Sequence, residues 1–233
     1  MTRHIIALGG GSFSQQIGIS PIDRYILSLS GKQYPKIAFL PTAAGDSTTY
    51  VHKFYDSFSR ADCLMSHYSI FGNNHLDIRS YLLEQDIIYV GGGNTFNMLT
   101  LWKARGVDTI LRECWERGII MCGISAGSLC WFRAGNTDSF GTMDKIECMS
   151  WLPFSNSPHY DTELTRRPNF YELIRTNQIP AGYGVDEGVA LHFQDQNLFK
   201  VIAEKTEARA YWIEVKNGQV VEDTIVPEFL PQV

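Results

Sequence analysis

The chain has 233 residues, of which 44% are hydrophobic and 19% charged, and its formal net charge is -5. That length and composition suit a soluble globular protein with one sizeable core. The acidic balance, without any basic run, excludes a nucleic-acid partner, and no apolar stretch is long enough to span a bilayer.

The first predicted element is a strand over His4–Leu8, which breaks at Gly9-Gly10-Gly11-Ser12. A signal peptide needs a longer apolar core and a cleavage site, so a first strand is the better reading. The turn resembles a dinucleotide fingerprint, but Ser14 stands where the third glycine or alanine belongs. Further strands are expected at Lys36–Leu40, Met65–Ile70, Ile87–Val90 and Ile119–Ile124, several of them continuous apolar runs of the kind that sheets covered on both faces require. Val107, Ile110, Leu111 and Cys114 fall at helical spacing and give one buried stripe. Later strands are expected at 189–193, 210–215 and 219–221, with Asn217-Gly218 as a hairpin turn. These elements predict a single α/β domain over 1–233, with a mostly parallel, doubly wound sheet extended by antiparallel C-terminal strands.

Cys63, Cys114, Cys122, Cys130 and Cys148 form no CxxC pair. The odd count argues against a disulfide framework or a zinc site and suits reduced thiols in the cytoplasm. No metal or organic cofactor is implied, and a homo-oligomer is compatible with the sequence.

Two glycine-rich turns bear on chemistry. In "IIYVGGGNTFNML", residues 87 to 99, a strand ends at glycines and Asn94 or Thr95 can cap the next helix, which makes an anion site from free N–H groups. In Gly123-Ile124-Ser125-Ala126-Gly127 the pattern G-x-S-x-G follows a strand, and a helix can begin over Ala126 to Phe132. This is the pattern of a nucleophile elbow, with Ser125 exposed on a tight turn. The Ala126 N–H and one from Gly92 or Gly93 would then receive an oxyanion.

A serine nucleophile needs a base. His4 and His192 lie in strands, His67 in a candidate edge strand, and His52 and His75 in polar segments. His159, in Ser157-Pro158-His159-Tyr160-Asp161, occupies a loop after an extended residue. Candidate orienting acids are Asp138, Asp161 and the pair Asp186-Glu187, and composition does not choose among them.

Together "VGGGNTFNML", "GISAGS", "SPHYD" and "GVDEGVAL" resemble the peptidase E family of serine peptidases, the aspartyl dipeptidases, to which cyanophycinases are related. The resemblance covers most of the chain, with the motifs in the family's order. It implies a fold akin to class I glutamine amidotransferases, with Ser125 as nucleophile, His159 as base and Glu187 as orienting acid. It also implies a supporting, substrate-binding role for Asp138. The family's arginine for an acidic substrate side chain corresponds to Arg166, with Arg167 as the alternative. The activity so implied is hydrolysis of short peptides, dipeptides with N-terminal Asp above all. The alternatives are an amide hydrolase acting on β-linked or side-chain amides, and a non-catalytic ligand-binding relative.

Overall fold

The structure, a computed structural model, describes residues 2–16, 18–72 and 77–231, so His75 lies outside the described residues. The first half alternates strands and helices: β1 (His4–Leu8), α1 (Pro21–Ser28), β2 (Lys36–Leu40), α2 (Thr48–Phe58), β3 (Leu64–His67), α3 (Ile78–Leu83), β4 (Ile87–Val90), α4 (Thr95–Arg105), α5 (Val107–Glu116) and β5 (Ile120–Ile124). A one-turn helix, α6 (Ala126–Leu129), leads into β6 (Phe132–Thr137), β7 (Asp144–Glu147), β8 (Leu152–Ser157), α7 (Arg166–Arg175) and β9 (Gly182–Val185). The chain ends with β10 (Val189–Gln194), β11 (Asn197–Ala203), β12 (Ala210–Lys216), β13 (Gln219–Ile225) and β14 (Glu228–Phe229).

The larger sheet has the order β14-β11-β10-β1-β5-β4-β2-β3. Its five strands from β1 to β3 run parallel, while β10 pairs antiparallel with β1 and β11 antiparallel with β10. Strand alternation splits β1 between two cores: Ile6 and Leu8 pack with Ile22, Ile26, Phe54 and Phe58 of α1 and α2, and Ile5 and Ala7 with Trp102, Leu111 and Cys114 of α4 and α5. Both faces are therefore covered, and that is why these strands read as unbroken apolar runs.

The expected single sheet needs correction. Of the predicted antiparallel strands only β10 extends it, joined by β11, which the sequence reading did not include; β12 and β13 join a second sheet, ordered β13-β12-β9-β8-β6-β7. This second sheet packs Phe132, Leu152, Tyr183 and Ala210 into the core shared with α4 and α5. Pairing of β12 with β9, in the register Ala210↔Val185, draws the hairpin away from β11. The hairpin itself forms as expected, with Asn217 at φ 52° and Gly218 at φ 78°, the conformation of a type I′ turn. The helix expected over Ala126 to Phe132 stops at Leu129, because Trp131 and Phe132 are buried and Phe132 already pairs with Leu152 of the second sheet. β3 ends at His67, opposite Phe39, instead of running to Ile70.

All five cysteines are free thiols, and Cys114, Cys122 and Cys130 are buried among apolar side chains. Among the described residues, no helix is long and apolar enough to cross a membrane.

Candidate active site

The parallel strands β1, β4 and β5 end on the same edge of the sheet, where ligands of open α/β folds bind. Ser125 follows β5 directly. Its backbone has φ 55° and ψ -110°, a left-handed conformation that a serine adopts only under constraint. The constraint is steric. A Cβ on Gly127 would lie 2.2 Å from Val90 O, and one on Gly123 would lie 2.4 Å from Gly127 O. The glycines of G-x-S-x-G thus let β5, α6 and β4 approach closely enough to force the turn at the serine between them. Ala126 N–H opens α6, where the first N–H groups of a helix have no partner within the helix.

The end of β1 ties three further parts together. Ser125 N–H donates to Leu8 O at 3.2 Å, His159 N–H to Gly9 O at 2.9 Å, and Gly188 N–H to Gly10 O at 3.1 Å. Three successive carbonyls therefore hold the serine, the histidine and the residue next to Glu187. His159 sits beyond β8 at φ 53°, and Glu187 lies in the turn between β9 and β10. Their side chains meet, with His159 Nδ1 3.0 Å from Glu187 Oε1, and are 16% and 14% exposed. Asp161, another candidate acid, does not touch the His159 ring but accepts the Glu187 N–H at 2.9 Å. Thr162 Oγ1 also donates to Glu187 Oε1, at 3.3 Å. Burial pushes the Glu187 carboxyl up, but hydrogen bonds from Gln15 and His159 and the charges of His159 and Lys205 outweigh it, so the net shift is downward. Glu187 is held as the anion.

A cavity of about 280 Å³ opens at the serine, lined by Gly93, Asn94, Ser125, Asp138, Ser139, Glu163 and Arg166. Asp138 follows β6 and is exposed; Arg166 opens α7 with its side chain only 5% exposed. Arg166 Nε donates to Glu163 Oε2 at 2.6 Å and Nη1 to Asn136 O at 3.1 Å. Arg167 points elsewhere. It pairs with Glu222 and lies over the rings of Tyr160 and Tyr211.

Of the glycines expected to bind an oxyanion, Gly92 lies against Ser125: a Cβ there would be 3.3 Å from Ser125 Cβ. Its N–H, however, donates to Tyr50 Oη at 3.2 Å. Asn94 caps α4, its side chain accepting the Asn97 N–H at 2.8 Å. Among the described residues, Ser125 Oγ makes no hydrogen bond, and no group of His, Cys, Asp or Glu side chains is arranged to hold a metal ion.

Sequence reasoning did not find Glu163, Gln15 or Tyr50. Glu163 had a signal, since it precedes Arg166 by three residues at the start of a helical stretch, the spacing of an ion pair on one face. Gln15 and Tyr50 reach the site only through tertiary packing.

A strained serine between a buried strand and a helix, and a histidine hydrogen-bonded to a carboxylate, both tied by their backbones to the end of one strand, are features that serine hydrolases on α/β sheets share. The model of peptidase family S51 matches residues 5–201, and the chain belongs to that family of serine peptidases. It is 43% identical over 228 residues to the uncharacterized peptidase YgaJ of Bacillus subtilis, covering 98% of this chain and 99% of that protein. It is 29% identical over 136 residues to peptidase E of Shewanella amazonensis, over 54% of this chain and 58% of the other. In fold it is similar to a peptidase from an acI-B1 Actinobacterium, with a TM-score of 0.74 at 15% identity, covering 97% of this chain and 95% of that one.

Proposed function

We propose that the chain is a single-domain cytoplasmic dipeptidase that hydrolyses short peptides with a free N-terminal aspartate through Ser125, His159 and Glu187. The observation that carries this reading is the His159–Glu187 pair at 3.0 Å, anchored on β1 next to the strained serine. With Nδ1 bonded to a carboxylate, the neutral imidazole carries its proton on Nδ1 and leaves Nε2 as the acceptor. Nε2 takes the Ser125 proton as Oγ attacks the scissile carbonyl and gives it to the leaving amine. A water then attacks the acyl-serine, passing its proton to Nε2, which returns it to Oγ as the acid product leaves. Glu187 stabilises the imidazolium in between. The Ser125–His159 hydrogen bond then forms as substrate closes the site, since such bonds are commonly loose in the free enzyme.

The Ala126 and Gly93 N–H groups receive the oxyanion; the Gly92 N–H serves only when Tyr50 turns away. A serine here takes the place of the cysteine in class I glutamine amidotransferases, whose fold the motifs resemble.

The cavity supports a small zwitterionic residue. Asp138 and Glu163 set two carboxylates beside one guanidinium, so a lone acidic side chain gains little there. An N-terminal aspartate brings an ammonium for the carboxylates together with a carboxylate for Arg166. A β-linked or side-chain amide offers the same charges, which makes such amide hydrolysis the second reading.

Asp-, Glu- and Ala-initiated dipeptides, β-aspartyl isomers and a Ser125→Ala control separate these readings. The proposal expects Asp peptides to be cleaved fastest and the control to be inert. Preferential cleavage of the β-aspartyl isomers favours the second reading, and a fluorophosphonate probe that labels Ser125→Ala as fast as wild type removes the nucleophile.

A further inference from the structure

One buried ionisable group has no part in the chemistry described so far. Asp23, in the first turn of α1, is fully buried and has no cationic partner among the described residues. Its Oδ1 accepts from Ser12 Oγ at 2.5 Å and from Tyr89 Oη at 3.2 Å. Its Oδ2 accepts from the N–H groups of Phe13 at 3.0 Å and Ser20 at 3.3 Å. All four are donors, so the arrangement suits an ionised carboxylate and fills its acceptor capacity.

Two of those donors come from the Ser12–Phe13 turn, directly after Gly9-Gly10-Gly11. Ser12 has φ 56° and Gly11 φ 86°, and such a conformation persists in a serine only when its surroundings hold it. Asp23 supplies that hold from the α1 side, and Glu204 supplies another by accepting the Ser12 N–H at 2.9 Å. The segment so clamped carries the Gly9 and Gly10 carbonyls that bind His159 and Gly188. It also lies against the catalytic pair, for a Cβ on Gly10 would be 2.8 Å from Glu187 Cγ and 2.9 Å from His159 Nδ1.

We infer that Asp23 is a positioning residue for hydrolysis: its carboxylate fixes the Ser12–Phe13 turn, and through the Gly9 and Gly10 carbonyls that turn keeps His159 and Glu187 in register with Ser125. The inference rests on the Ser125–His159–Glu187 reading above. Protonation of Asp23 disturbs the clamp for a specific reason. The Phe13 and Ser20 N–H groups can only donate, so the added proton must sit on Oδ1, where Ser12 Oγ or Tyr89 Oη has to rotate and become an acceptor.

The groups facing Asp23 are Ser12 and Phe13 of the turn, Ser20 ahead of α1, Tyr50 of α2, Tyr89 of β4, Cys122 of β5 and Glu204 after β11. None is cationic. Burial raises the Asp23 carboxyl to about 6, with hydrogen bonds from Ser12 and Ser20 pulling it down and Glu204 pushing it further up. The ionised form is therefore a cost to folding above that pH, and it is the form whose hydrogen bonds hold the turn.

Asp23→Asn is the informative variant, because the amide copies the protonated carboxyl in shape and in donor pattern. The probe is a fluorophosphonate that labels Ser125, its rate measured from acid to alkaline pH with Tm and circular dichroism on each sample. At pH ~8 the variant is expected to melt no lower than wild type yet label about tenfold more slowly, the scale on which a small misplacement lowers reactivity. The acid limb should change from the loss of two protons in wild type to one in the variant. A residue that serves only as a helix cap would lower Tm and leave the limb as it is. Wild-type labelling by Asp23→Asn at pH ~8, or an unchanged acid limb, overturns the inference. Should that variant fail to fold, Ser12→Ala decides: it removes the hydroxyl link alone, and a wild-type rate there overturns the inference as well. Absence of any labelling of the wild-type protein refutes the nucleophile reading itself, and this inference with it.

Discussion

Ser125 and His159 are anchored to adjacent residues of one strand end, the Ser125 N–H on Leu8 O at 3.2 Å and the His159 N–H on Gly9 O at 2.9 Å. The two residues are separated by 34 positions in the chain, yet two successive peptide units at the end of β1 set the spacing of their backbones. The next residue, Gly10, has no room for a side chain, since its Cβ would press on His159 Cε1 at 2.9 Å and Glu187 Cγ at 2.8 Å. Gly10→Ala is therefore expected to displace the pair and slow fluorophosphonate labelling about a hundredfold. Labelling within threefold of wild type would show that the pair is positioned independently of β1.

The strain at Ser125 predicts a trade between stability and reactivity. Its φ of 55° with ψ of -110° is a conformation glycine tolerates and other residues resist. Ser125→Gly should relieve that strain and raise stability by about 1 kcal/mol while abolishing turnover. Ser125→Ala should be equally inactive without the gain in stability. Denaturant unfolding of both variants checks this, and equal stabilities would place the strain elsewhere.

Arg166 and Arg167 are neighbours with different expected phenotypes. Arg166 lines the cavity at the serine, so Arg166→Gln should raise KM for Asp-initiated dipeptides at least about tenfold and leave Ala-initiated ones nearly unchanged. An equal loss on both substrates would remove Arg166 from side-chain recognition. Arg167 pairs with Glu222 beside Tyr160, Tyr171 and Tyr211. Arg167→Ala should act on stability instead, costing roughly 1–2 kcal/mol through the lost ion pair and ring contacts, a range discounted for its partial exposure.

The sequence and the fold agree where the physics is local. Ile87–Val90 and His4–Leu8 are short apolar runs ended by glycine, and both are strands at those residues. Asn217-Gly218 requires two positive φ angles, which only a few residue types supply, and the hairpin follows. The second sheet was not legible in this way. Phe132–Thr137, FRAGNT, and Leu152–Ser157, LPFSNS, are mostly buried although they carry polar residues, and the Asn136 and Asn156 amide N–H groups donate to Arg166 O and Ser128 Oγ. Within the site, G-x-S-x-G marked Ser125 through a local steric requirement. Choosing Glu187 over Asp161 or Asp186 depends on which carboxylate meets an imidazole 28 positions away, and no periodicity carries that information. Likewise, Tyr50 meets Gly92 only because α2 packs beside β4.

Stability should depend on pH through His192, far from the cavity. Its ring is fully buried between β1 and β11, with Nδ1 2.7 Å from Tyr25 Oη and Nε2 2.9 Å from His4 Nδ1. Burial, with the charges of His4 and Lys200, pushes His192 down to about 4. The folded value lies below the ordinary 6.5, so the unfolded chain binds the proton more readily. The stability this neutral ring contributes is fully present above pH 6.5 and is lost as pH falls toward 4. Asp23 and Asp186 oppose the trend. Each is raised to about 6, chiefly by burial, so their contribution is lost as pH rises through that value. The two acids together outweigh the one histidine, so these three groups alone favour the folded state toward the acid end of the window. His192→Gln removes one side of the balance and should be destabilised relative to wild type by an amount that grows by roughly 2 kcal/mol from the acid to the neutral end of the window. Denaturant unfolding at pH ~4.5 and ~7.5 measures that difference, and an equal loss at both values would show that His192 does not titrate with folding.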